Sequence, residues 1–171
     1  YWAREWKDWE QPSPALVHCH VHSHFSFDGL NSEIELCERA RRLGMKALAL
    51  TDHGDVFGWH RFVRAATKAG VKPILGVEAY MVDDRQSKSE RKRFHLILLA
   101  MNTQGYHNIL KIVSRGNTEG YYYRPRIDWQ LLREHAEGVI CTTACSYGMV
   151  AQAIESGDKK RAAEVGLRLK E

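Results

Sequence analysis

Residues 46–82 read KALALTDHGDVFGWHRFVRAATKAGVKPILGVEAYMV. KALALT (46–51) is a short apolar run, too brief for a helix and closed by Asp52-His53-Gly54, which predicts a buried strand. Phe57 to Ala69 is patterned as a helix and stopped by Gly70, and KPILGVEAYMV (72–82) is a second strand, broken only by Glu78. Strand, helix, strand is the rhythm of an α/β fold. Upstream, ALVHCHV from Ala15 reads as a strand; Ser32 and Glu35 form a capping box before Ile34, Leu36, Cys37, Ala40 and Leu43, and Gly44 is the stop. Downstream come a polar, flexible loop (DDRQSKSERKR, 83–93), a strand (FHLILLA, 94–100), a helix from Gln104 to Arg115 and a loop over 116–127. Asp128 caps a short helix, GVICTT (138–143) is a strand, and helices follow near 147–155 and 158–170. The alternation predicts parallel strands covered by helices, closed as a barrel or open as a doubly wound sheet.

The 171 residues fit one domain, 15–171, with residues 1–14 as an appendage in which Trp2, Trp6 and Trp9 share a helix face ended by Pro12 and Pro14. An apolar fraction of 44% excludes disorder as a class, and the absence of any long uncharged apolar window excludes a spanning helix. Arg4, Glu5, Lys7 and Asp8 rule out a secretory signal over the first residues. Cys19, Cys37, Cys141 and Cys145 form no CxxC pair, which speaks against a disulfide framework and for a reducing compartment. A net charge of +4 is compatible with a nucleic-acid or phosphate partner. The last helix runs to Glu171 with no stop signal, so the expectation is a piece of a longer chain.

His18, His20, His22 and His24 alternate, and a strand through them would put all four imidazoles on one face. Such a face is a poor core and a good metal-binding surface. Asp28-Gly29 is either a turn or a carboxylate returned toward the same metals. His53 follows a strand end, where α/β folds gather functional groups, and Asp52 is a carboxylate placed to orient it. Glu78 inside an apolar strand is costly unless paired with an arginine or bound to a cation. His95 is a second polar intruder, and Cys145 is either a small buried residue or a thiolate ligand. Together these residues form a multi-metal constellation of mixed donors. It suits zinc or manganese, with magnesium also admitted, and such centres activate water and clamp phosphate.

The order HxH, TDHG, GVEAY, HLILLA, EGYYYRPRID and TAC resembles the PHP (polymerase and histidinol phosphatase) domain over about residues 15–155. It is most similar to the version at the N-terminus of the bacterial DNA polymerase III alpha subunit, because His18 and Cys145 stand where the free-standing phosphatases carry Asp and His. The resemblance implies a distorted seven-stranded α/β barrel. It implies two to three divalent metals held by His20, His22, Asp28, His53, Glu78, His95 and Cys145, with Glu78 and Asp52 as the catalytic pair. His18 and His24 have no place in that ligand set. HSHFSFDG is one residue shorter than usual before its Asp, and the family's late Asp-x-His pair is absent, so the expected barrel is truncated before its last strands.

The implied activity is metal-dependent phosphodiester hydrolysis with 3′-5′ exonuclease, proofreading chemistry, in a chain whose remainder is the polymerase. Arg124, Arg126 and Tyr123 are the candidate substrate contacts. The implied partners are a DNA 3′ end, the rest of the polymerase chain and other replisome subunits, in the cytoplasm of a bacterial or bacteriophage-type system. The alternative is a catalytically silent module that supports the polymerase or binds a separate proofreading subunit.

Overall fold

Ser32 opens the first helix as its motif predicts. Its Oγ accepts from the Glu35 amide at 3.3 Å, while Glu35 Oε2 accepts from the Ser32 amide at 2.8 Å. Helix α1 (Glu33–Arg42) ends where Gly44 adopts a left-handed φ of 70° and the Gly44 and Met45 amides close back on Arg41 and Ala40. Strand β1 (Ala47–Leu50) is buried throughout, and helix α2 (Trp59–Ala69) turns Trp59, Phe62 and Ala66 inward before Gly70 stops it. The computed structural model describes residues 16–89 and 91–170, so the expected Trp-rich helix over 1–14 lies outside the described residues.

The chain divides into two compact units. The first takes in the chain to Leu50 together with Phe57–Ile74; the second is Thr51–Val56 together with the chain from Leu75 onward. In the first, α1 packs on α2 and the Lys72 amide donates to the Lys46 carbonyl at 3.0 Å. In the second, the remaining elements are β3 (Phe94–Ala100), α3 (Thr103–Thr118), β4 (Arg126–Ile127), α4 (Trp129–Glu134), β5 (Val139–Thr142), α5 (Met149–Glu155) and α6 (Lys159–Lys170). Strand β2 (Lys72–Met81) begins in the first unit and continues into the second. Val77, Ile97, Leu98, Ile109, Ile112 and Leu131 form the fully buried core of the second unit.

The five strands among the described residues make one mixed sheet in the order β1-β2-β3-β5, with β4 parallel to β2. The expected all-parallel arrangement is corrected here. Strands β2 and β3 are antiparallel, as are β3 and β5. The cause lies in 82–93. A parallel crossover needs a covering helix, and this polar stretch carries no apolar period to make one.

The expected histidine strand is a second correction. Of the four, His18 is the one whose backbone bridges to the sheet among the described residues, through a parallel bridge to Leu48. Beyond it the backbone turns repeatedly: Ser26 donates to the Ser23 carbonyl, Gly29 to the Ser26 carbonyl, and His24 to the Asn31 carbonyl. Ser23 Oγ accepts from the Phe25 amide at 3.3 Å, the kind of local bond by which serine draws the backbone out of a ladder. His24 stacks on Phe25 at 4.6 Å, so the four imidazoles do not share a strand face.

Within the polar stretch after β2, Arg85 is buried and paired, which its composition does not predict. Arg85, 4% exposed, donates through Nη1 to both oxygens of Asp128 at 2.8 and 2.9 Å. Its Nε and Nη2 reach Glu119 Oε2 at 3.0 and 2.7 Å. Asp128 at the same time caps α4 by accepting from the Leu131 amide at 3.0 Å.

Candidate metal centre

In the second unit the sheet register assembles a cluster around Glu78. Glu78 and Tyr80 are two apart on β2 and so share a face; His95 on β3 stands opposite Tyr80 on the same face. The segment 52–54 runs alongside: the Glu78 amide donates to the Asp52 carbonyl at 3.0 Å, and the Gly54 amide to the Glu78 carbonyl at 2.9 Å. That pairing brings His53 level with Glu78. Gly54 has a φ of +67°, and a Cβ there would stand 2.6 Å from Pro125 Cγ, so the turn that presents His53 admits only glycine.

Glu78 is 1% exposed and sits between two imidazoles. Oε1 lies 2.7 Å from His95 Nδ1 and Oε2 lies 3.2 Å from His53 Nδ1. Cys145 Sγ completes the group at 3.8 Å from Glu78 Oε1 and 3.6 Å from His95 Nδ1. Cys145 is delivered by the turn after β5, where Ala144 takes a φ of +58°, a region rarely occupied by a residue with a side chain. The Tyr80 ring stacks on His53 at 5.7 Å with a 9° interplanar angle and meets His95 edge-on at 5.3 Å. Tyr147, 65% exposed, lies 5.5 Å from the His95 ring, and its carbonyl accepts from the His95 amide at 3.1 Å.

The first unit carries its own donors on the 20–28 turn. His20 Nε2 and His22 Nε2 are 3.0 Å apart. Two imidazole lone pairs at that separation need a proton or a cation between them. His22 Nδ1 lies 3.2 Å from Ser26 Oγ, so a proton on Nδ1 donated to that hydroxyl leaves Nε2 as the free ligand atom. Ligand atoms of His22 and the exposed Asp28 lie within 4.8 Å of one another.

The residues present fit a divalent transition metal. Donors on one tetrahedral zinc ion stand about 3.3–3.8 Å apart, given bonds of roughly 2.0–2.3 Å. The separations around Glu78 bracket that range, and imidazole nitrogen, carboxylate oxygen and thiolate sulfur are zinc's ligand types. A carboxylate this buried is costly without cationic company, which an ion among these donors supplies.

The other expected site residues divide. Asp52 is buried, at 2% exposure, directly before His53. Tyr123 is exposed, holds a φ of +61°, and carries the Arg91 guanidinium 4.2 Å above its ring and a hydrogen bond from that group on its hydroxyl. Arg124 is half-buried in the same loop. Arg126 is 2% exposed, donates to the Gly120 and Arg85 carbonyls at 2.8 Å, and braces the loop from within. Tyr80 and Tyr147, which touch the ligand rings, were not legible as site residues. For Tyr80 the signal existed, since it is two positions from Glu78 and shares its face.

Comparison with known proteins identifies the family. The sequence model of the PHP domain family matches residues 18–171. The chain is 44% identical over 145 residues to the DNA polymerase III subunit alpha of Borreliella burgdorferi, covering 81% of this chain and 13% of that protein. It is 42% identical over 156 residues to the same subunit of Treponema pallidum, covering 88% of this chain and 13% of that protein. The chain thus spans about an eighth of the length of these relatives. Among solved structures it is similar to a "putative metal-dependent phosphoesterase" from Bifidobacterium adolescentis, with a TM-score of 0.43 at 20% identity, covering 91% of this chain and 56% of that one. Matched along nearly all of its length, the chain belongs to the PHP domain family.

Proposed function

We propose that this chain is the N-terminal PHP domain of a bacterial replicative DNA polymerase III alpha subunit, and that the domain is a metal-dependent phosphodiesterase trimming DNA 3′ ends. The observation that carries the reading is the buried Glu78 carboxylate flanked by His53, His95 and Cys145. In this reading those four residues hold one divalent cation, and His20, His22 and Asp28 provide a further donor set, for two to three metals in all, zinc or manganese. A cation so held lowers the pKa of water and offsets phosphate charge.

The chain's own residues supply position. Tyr80 fixes the planes of His53 and His95. Ser26 fixes the tautomer of His22, leaving Nε2 to bind. Asp52 orients the His53 turn, and Tyr123 with Arg124 contacts the DNA strand. The partners in this reading are the DNA 3′ end, the remainder of the polymerase and other replisome subunits, within the bacterial cytoplasm. Among the described residues no helix is long and apolar enough to cross a membrane.

The test is direct. The chain is reconstituted with zinc or manganese, its metal content is measured, and 5′-labelled single-stranded DNA is incubated with it. Bound metal with stepwise shortening from the 3′ end supports the reading. Bound metal without shortening makes the domain a silent support module, and no bound metal overturns the assignment of the site.

A further inference from the structure

On the first unit, helices α1 and α2 enclose a groove of about 380 Å³. Arg41, Arg61, Arg64 and Lys68 line it, against one carboxylate, Glu38, which Arg42 engages at 3.7 Å. Arg41, Arg64 and Lys68 have no ion-pair partner among the described residues. Arg61 is held from beneath: its Nε lies 3.9 Å from Oε2 of Glu33, a carboxylate with 0% exposure. Exposed cations gathered with little counter-charge make a positive patch that raises the local concentration of anions.

We propose that this groove binds the phosphodiester backbone of a nucleic-acid strand. Three features choose that anion. Arg61, Arg64 and Lys68 recur at i, i+3 and i+7, so they form a row along α2 about 10 Å long, which follows a linear polyanion better than a single small anion. Three of the four cations are guanidiniums, whose planar fork matches phosphate oxygens. Ala65 and Ala69 in the lining are small enough for a strand to approach closely, and Ile34 on α1 is its one large apolar side chain, where a docked peptide helix needs a row of such anchors. A site of this kind reads charge and not sequence. It stands independently of the metal chemistry proposed above.

The experiment keeps the two apart. Binding of a fluorescein-labelled, mixed-sequence single-stranded DNA to the whole chain is followed by anisotropy in EDTA, across a salt series. The double variant Arg64→Ala/Lys68→Ala changes two exposed side chains outside the metal donors. It should weaken binding roughly tenfold and make the salt slope shallower by about 1.4, the value for two lost phosphate contacts on a single strand. The charge-conserving variant Arg64→Lys/Lys68→Arg should restore most of both. Metal-dependent hydrolysis of bis(p-nitrophenyl) phosphate by the double variant should match the parent, since a diester that small does not span the groove. Affinity and slope unchanged in the double variant overturn the proposal. So does poly-glutamate competing as well as unlabelled DNA, which would make the groove a surface for acidic protein.

Discussion

The two donor sets are built by opposite means. Around Glu78 the imidazoles ride on strands and a strand-paired turn, and each ring is fixed by register and by Tyr80. On the 20–28 turn, His20 and His22 ride on backbone that bends away after one bridge at His18, and a serine hydroxyl does the holding. A strand inherits its geometry from its neighbours, whereas a turn must supply its own from local hydrogen bonds. The strand-built set should therefore fail by losing a ligand, and the turn-built set by losing a support.

Glu78→Gln gives the largest effect. The amide is nearly isosteric but uncharged, and it leaves His53, His95 and Cys145 without their shared carboxylate. Metal bound by the second unit should be lost, and hydrolysis should fall by about two to three orders of magnitude, on the scale of losing a principal electrostatic contact. Elemental analysis and rate measurement check it. Unchanged metal content would mean the carboxylate serves only its histidine partners.

Ser26→Ala tests the turn. It removes one hydroxyl and frees the His22 ring to rotate or change tautomer. Metal affinity of the first unit should fall about 10–100-fold with the thermal midpoint nearly unchanged. An unaltered affinity would erase the contrast, because the turn would then hold its rings as firmly as the strands hold theirs.

Tyr80→Leu asks the same of the strands, and the expected answer is smaller. The ring adds stacking worth about 1 kcal/mol to imidazoles that backbone register already places. Metal affinity at the Glu78 cluster should drop by about fivefold, read by competition with a chromogenic chelator. A loss as large as that of Glu78→Gln would show that aromatic packing, and not register, fixes the ligands.

The same contrast explains what could be read in advance. Ser32 with Glu35, Asp128, Gly44 and Gly70 act through neighbours a few residues away, so their caps and stops were legible. The apolar runs of β1, β2 and β3 were legible because a buried strand carries its environment in its composition. Glu78 stood out because a carboxylate contradicts such a run. Strand direction was misread although its signal was present: 83–93 read as a polar loop, and a connection without a covering helix joins antiparallel neighbours. The path of 18–29 was misread because alternation alone does not make a strand when the alternating residues bond their own backbone. Arg85 read as part of a polar loop and Arg126 as a substrate contact, because Arg85's partners Asp128 and Glu119, and one of Arg126's, the Arg85 carbonyl, lie far along the chain.

The smallest expected effect concerns how the second unit's long loops are tied down. Glu119 accepts from Arg115 Nε at 2.8 Å and from Arg85 Nη2 at 2.7 Å. These hydrogen bonds, Arg115's foremost, hold its carboxyl down at about 2. In the unfolded chain the group returns to the ordinary glutamate value near about 4.3. A carboxyl with a depressed folded pKa stabilises the fold fully above its unfolded value and loses that contribution as pH falls toward its folded value. The tie between Arg85 and the end of α3 should therefore hold at neutral pH and weaken progressively from about pH 4.5 toward about 2. Urea midpoints of metal-free protein and of Glu119→Gln should differ at pH 7 and converge as the solution is acidified. A midpoint difference that stays constant from pH 7 to 3 would show that the Glu119 pairs add nothing to stability, as exposed ion pairs often do not. The second unit's loops would then owe their order to the buried Arg85–Asp128 pair and to the bonds of Arg126 to the Gly120 and Arg85 carbonyls.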